Sequence, residues 1–239
     1  MPVEREVIFE DLGSGDYKDT WDYQEQLFSE MLDIKMKNRT LGPGERMEQV
    51  NRLLFVEHPH VYTLGRSGSE NNLLVNHIQL QAKEASFYRI NRGGDITYHG
   101  PGQIVGYPLL DLEEFGLTLR EYIHRIEEVI ILSLEDYGIE AGRMEGATGV
   151  WIDGQEGSGG QSRKICAIGV RASRFITMHG FAFNINTDLD YFNYINPCGY
   201  TDKGVTSLAK ELGEEQDFMK AKQIVRNKFG KVFGVNWKS

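Results

Sequence analysis

From Asn51 to Leu112 the chain runs through one short strand-like segment after another. Turn residues separate them, and only one short helical stretch interrupts. "NRLLFVEHP" reads as a strand ended by Pro59, "LLVNHIQLQAKEAS" as a short helix, "FYRINR" as a strand, and "DITYHGPGQIVGYPLLDL" as strand, Gly-Pro-Gly turn, strand. Parallel neighbours need crossovers of a dozen residues or more, and few crossover helices separate these strands. The pattern therefore predicts an α+β fold with a mixed, mainly antiparallel sheet packed with helices, and excludes a doubly wound one. Three helices complete it. Asp19 to Lys37 has an apolar stripe of Trp21, Leu27, Phe28, Met31, Leu32 and Met36. Thr118 to Tyr137 repeats apolar residues at threes and fours, and Asp217 to Phe233 closes the chain. "VIFEDLG" and "FITMHGFAFNIN" add strands, and "TGVWID" and "KICAIGV" flank a Gly/Ser-rich loop, Gly154 to Ser162, as a hairpin. No linker divides the sequence, so one domain over residues 1–239 is expected.

Charge narrows the partners. With 26 basic against 35 acidic residues the net charge is −9, unsuited to duplex nucleic acid or anionic membranes. No uncharged apolar run approaches the roughly 20 residues of a membrane span. The acidic opening "MPVEREVIFEDLG" lacks the apolar core of a secretory signal, and two cysteines make no disulfide framework. A cytoplasmic protein is the expectation.

Chemistry concentrates in two places. In "RINRGGDITYHGPGQIVGYPLLDL" glycines let the backbone approach a ligand closely, although a tight hairpin with polar decoration is an equal reading. Neither phosphate-binding glycine motif is present. His58 and His60 would share one side of an extended segment, but no spacing for three or four metal ligands exists, so no metal is expected. The second place holds the cysteines. Cys166, in an apolar strand, reads as a small buried hydrophobe. Cys198 stands between Pro197 and Gly199, where a substrate could reach it. Its thiol is a few per cent ionised at pH 7 and needs a neighbouring cation or base. Lys164, Arg163, Arg171, Arg174 and Lys203 are the basic residues nearest in sequence, and local physics does not choose among them.

The segment "RGGDITYHGPGQIVGYPLLDL" resembles the signature of the lipoyl(octanoyl) transferases. "EHPHVYTLGR", ending at Arg66, "KICAIGV", opening with Lys164, and "HGFAFNIN" followed by "INPCGY" agree with that family in order and spacing, from about Val7 to Gly213. The resemblance implies a fold shared with lipoate and biotin protein ligases. It implies transfer of octanoyl from acyl carrier protein, through a thioester on Cys198, to the target lysine of lipoyl domains. Those acceptors would be 2-oxoacid dehydrogenase E2 subunits and the glycine cleavage H protein. Lys164 would lower the Cys198 pKa. Arg92, Gly93, Gly94, Asp95, Ile96, Thr97, Tyr98 and His99 would form one wall of the acyl pocket. Ala167, Ile168 and Gly169, with Gly180, Phe181 and Ala182, would form another, and Arg66 would support it. No cofactor is implied. An ATP-dependent lipoate ligase of the same fold and an octanoyl amidotransferase working between lipoyl domains are the alternatives.

Both protein partners of such an enzyme are typically acidic, as this chain is. Arg163, Lys164, Arg171 and Arg174 have no acid between them and predict a positive face beside the site.

Overall fold

The structure, a computed structural model, describes residues 5–42, 44–153, 161–196 and 203–238. Strands β1 (Arg5–Ser14), β2 (Asn51–Glu57), β6 (Gln103–Leu109), β7 (Gly142–Met144), β8 (Ala147–Ile152), β9 (Arg163–Ser173), β10 (Ile176–Asn184) and β12 (Val235–Lys238) form the large sheet. Its order is β12-β1-β2-β6-β10-β9-β8-β7, and β11 (Gly204–Val205) pairs with the start of β9. A small sheet has the order β4 (Ser86–Arg89), β3 (Val61–Leu64), β5 (Ile96–His99). From β2 through β6, β10, β9 and β8 to β7 every neighbour is antiparallel, whereas β1 pairs in parallel with both β2 and β12. The expected mixed, mainly antiparallel sheet is present.

Helix α1 (Tyr17–Asn38) is the crossover that the parallel β1–β2 pair needs. The Asp16 side chain caps it by accepting from the N–H groups of Lys18 and Asp19. Its stripe takes in Lys35 rather than Met36: Met36 is exposed, and the buried Lys35 ammonium lies 2.6 Å from an oxygen of buried Asp111. Helix α3 (Leu119–Glu135) begins with a reciprocal cap between Thr118 and Glu121, and α5 (Phe218–Phe233) begins at Asp217.

Period-two alternation sorts the sheet into two faces. Leu53, Phe55 and Ile104 join the core that contains α3 and α5, and Leu54, Val56 and Val105 join the core beneath α1. A third core of Tyr62, Leu64, Leu80, Ile96, Tyr98 and Ile195 belongs to the small sheet, next to α2 (His77–Ala82).

One expected connection is different. β5 and β6 do not pair across Gly-Pro-Gly; β5 pairs with β3 in the small sheet and β6 with β2 and β10 in the large one. The turn closes with Gln103 N–H donating to Gly100 O, and Gly102 N–H donates to the Glu57 carboxylate. That turn carries the chain from one sheet to the other. Among the described residues no helix is long and apolar enough to cross a membrane.

Candidate active site

A cavity of about 560 Å³ takes lining residues from both sheets and from Tyr17 of α1. The size suits a small-molecule ligand. From the small-sheet side come Arg92, Gly94, Asp95, Ile96, Thr97 and His99. From the large sheet come Ala167, Ile168 and Gly169 of β9, with Gly180, Phe181 and Ala182 of β10. Lys164 lines it too, as do Asn196 and Lys203, which flank in sequence the segment carrying Cys198. Cys198 itself, and residues 154–160 of the Gly/Ser-rich loop, lie outside the described residues.

Three sequence-predicted residues stand elsewhere. Arg66 is exposed and does not line the cavity; its N–H donates to Arg92 O. Gly93 ties the loop to β9 by donating to Val170 O at 2.9 Å. Tyr98 alternates to the far side of β5, where it stacks on Tyr191 with ring centroids 4.9 Å apart.

Arg92 is buried and fastens the glycine loop to β3. Its Nη2 donates to Thr63 O at 2.7 Å and to Thr63 Oγ1 at 2.9 Å, and its Nη1 donates to Gly93 O. Gly169 lets this loop lie flat on β9: a Cβ there would stand 2.8 Å from Gly93 O and 3.0 Å from Arg92 Cδ.

A chain of hydrogen bonds leads away from Arg92. Gln103 Nε2 donates to Asn184 Oδ1 at 2.8 Å, and Asn184 Nδ2 donates to Thr206 O at 3.0 Å. Gln103 Oε1 is therefore an acceptor, and His99 Nδ1 donates to it at 2.9 Å. His99 Nε2 is left to accept from Thr63 Oγ1 at 3.4 Å. This makes His99 a neutral imidazole with its proton on Nδ1, and burial lowers its pKa to about 3.

His179 adopts a φ of 59° where β10 has not yet joined β6, and its N–H donates to Gln24 Oε1 of α1. Its Nε2 donates to Asn91 Oδ1 at 3.0 Å. Burial, and then the charges of Arg92 and Arg171, lower its pKa to about 3. His58 and His60 do not share a side. His58 is buried against Gly15 O and the Tyr107 hydroxyl, both at 2.8 Å, with its pKa lowered by burial to about 4. His60 stacks on Tyr191 at 4.1 Å. Among the described residues no three His, Cys, Asp or Glu side chains are grouped to hold a metal.

Lys164 is set by an irregular ladder. β8 and β9 pair Val150 with Cys166 but Trp151 with Lys164, so β9 carries one extra residue there, a β-bulge. The bulge sends Ile165 and Cys166 together into the α3–α5 core. Cys166 is buried, and burial pushes its thiol far above the ordinary range, so it is inert. On the other edge of β9 the partner changes from β10 to β11, with Val205 opposite Lys164. Arg163 grips Glu211 of α4 (Leu208–Leu212) with two bonds of 2.6 Å.

The expected positive face is reduced. Arg163 pairs with Glu211, and Arg171 pairs with Glu25 at 2.8 Å, so two of the four charges already face carboxylates. Sequence reading missed Trp151, Tyr17, Gln103, Asn184 and Asn196 as lining residues. Trp151 was accessible through the hairpin, which puts it opposite Lys164; the others converge only through distant pairing.

The family described as lipoyl protein ligase A/B catalytic domain matches residues 16–230. An octanoyltransferase of Flavobacterium johnsoniae is 57% identical over 228 residues, covering 93% of this chain and 95% of its own. One of Flavobacterium psychrophilum is 59% identical, covering 90% of each chain. Among solved structures, the bipartite lipoate protein ligase of Thermoplasma acidophilum superposes with a TM-score of 0.69 at 14% identity, covering 99% of this chain and 87% of that one. Lipoate-protein ligase A bound with ATP superposes with a TM-score of 0.64 at 13% identity, covering 99% and 88%. These two likenesses concern the fold.

Proposed function

The chain belongs to the lipoyl protein ligase A/B catalytic domain family and, with octanoyltransferase relatives more than half identical, is an acyltransferase; we propose that it moves octanoyl from acyl carrier protein to lipoyl domains. In this reading the whole chain acts as one catalytic domain. The acceptors are the lipoyl domains of 2-oxoacid dehydrogenase E2 subunits and the glycine cleavage H protein.

Cys198 is the nucleophile in this reading and Lys164 the group that holds it as thiolate. The thiolate adds to the octanoyl thioester carbon, the bond to the carrier's thiol breaks, and Lys164 gives its proton to that departing sulfur. Acyl-enzyme and carrier thiol result. The neutral amine of the acceptor lysine then adds to the same carbon, Lys164 takes the proton from the attacking nitrogen, and the Cys198 thiolate leaves. The first exchange trades one thioester for another, so no nucleotide is required. Each tetrahedral intermediate needs hydrogen-bond donors, for which backbone N–H groups near Gly199 or in the strand that opens with Lys164 are the candidates.

The observation that supports this most is the shared cavity: Lys164, Asn196 and Lys203 line one space together with the glycine loop. Incubation with octanoyl-acyl carrier protein, without ATP, should add one octanoyl group to the intact mass. A lipoyl domain should then remove it, and Cys198→Ser should lose octanoyl transfer. If octanoylation required free octanoate and ATP, and proceeded in Cys198→Ser, the proposal would fail in favour of a ligase.

A further inference from the structure

Trp151 and Lys164 are direct partners in the β8–β9 ladder, and Lys164 Nζ lies 4.6 Å from the indole centroid. Lys203 Nζ lies 5.6 Å from the same centroid. All three residues line the cavity. The ring is fixed: Trp151 is 3% exposed and its Nε1 donates to Ala147 O at 2.8 Å. Lys203 is the first described residue after the segment carrying Cys198, and Lys164 enters from a different strand. Two lysines from separate parts of the chain therefore each lie within 6 Å of one indole ring.

An indole attracts a cation within about 6 Å of its centroid more strongly than the other aromatic rings do. It can thus locate an ammonium carried on a flexible four-carbon stem. A second ammonium on the same ring acts the other way on charge, since like charges disfavour each other's protonated forms. The ring fixes position, and the second amine favours proton release.

We propose that Trp151 is a positioning residue for the transfer reaction and that Lys203 is a second amine of its site, the indole seating both side chains over the cavity and Lys203 easing the release of a proton from Lys164. This rests on the reading of Lys164 as the group that gives a proton to the departing carrier sulfur and takes one from the acceptor nitrogen. Lys203 adds no step to that cycle; its charge assists the first transfer, and the ring keeps Lys164 in reach for both.

The test titrates Lys164 itself, in the full chain labelled at lysine 13Cε, with its signal assigned by its loss in Lys164→Arg. Trp151→Leu removes the attraction and should lower the Lys164 midpoint by about 0.4–0.7 pH units. Trp151→Phe keeps a ring and should restore part of that shift. Lys203→Gln removes the like charge and should move the midpoint the opposite way, upward, with a matching displacement of the kcat pH profile. Opposite shifts are the signature, because a residue that only filled space would not produce them. A Lys164 midpoint unmoved by Trp151→Leu and Lys203→Gln, or moved the same way by both, would overturn the proposal. Should Trp151→Leu not fold, Lys203→Gln decides alone, and a midpoint that does not rise refutes it. Failure of the underlying function reads differently: Cys198 would keep its thiol titration in Lys164→Ala while Lys164 still answered to Trp151.

Discussion

The aliphatic stem of Lys164 crosses over Gly149: a Cβ built on Gly149 would stand 3.4 Å from Lys164 Cε and 2.5 Å from the carbonyl oxygen of Cys166. Gly149 also adopts a φ of +123°. Gly149→Ala should therefore destabilise the protein by about 1–3 kcal/mol and displace the lysine stem, lowering kcat more than it alters KM. Thermal unfolding and steady-state transfer kinetics check both parts.

Arg92→Lys keeps the charge and loses the fork whose Nη2 donates to both oxygens of Thr63 and whose Nη1 donates to Gly93 O. The glycine loop should loosen from β3, and the variant should lose about 1–3 kcal/mol of stability. KM for the octanoyl donor should rise. Urea unfolding with donor-concentration kinetics measures this, and Thr63→Val should reproduce part of it.

Lys35→Met leaves the buried Asp111 carboxylate without its ammonium. Loss of one partner from a buried pair is expected to cost about 3–5 kcal/mol. The site lies elsewhere, so kcat at low temperature should be near that of the parent. Denaturant midpoints and activity at 10 °C separate the two effects.

Acid should unfold this protein through its histidines. His58, His99 and His179 have folded pKa values lowered by burial to about 4, 3 and 3, below an ordinary value near 6.5. Below pH 6.5 the unfolded chain takes up protons that the folded one refuses. Stability is therefore complete above that pH and declines as pH falls toward 4, by up to about 1.4 kcal/mol per pH unit for each group. Urea midpoints between pH 7 and pH 4.5 should fall steadily, and His58→Gln should reduce the slope.

Much of the fold was legible because periodicity is local. The stripes of α1, α3 and α5 follow from spacing, and β2, β6 and β10 from apolar runs of seven to nine residues bounded by turn residues. β3 escaped notice because Val61–Leu64 is only four residues long, too short a run to read. β12 escaped because it is a four-residue edge strand beyond the end of α5. The β5–β6 turn was legible as a turn, but which sheet each strand joins depends on β3 and β10, far off in sequence. At the site, local chemistry could nominate Lys164 only as one cation among several. Its pairing with Trp151, and the chain from Arg92 through Thr63 and His99 to Asn184, exist only after folding.

The bulge opposite Val150 and Trp151 decides which face of the sheet Lys164 takes. Ile152 and Arg163 still pair beyond it, so residues gained or lost between Asp153 and Arg163 leave the lysine where it is. Removing Ile165 would straighten the ladder and leave Lys164 opposite Trp151, now next to Cys166 and still on the other face of the sheet from it. With Ile165 kept and the bulge lost, Lys164 would instead share the face of Cys166 and leave the cavity.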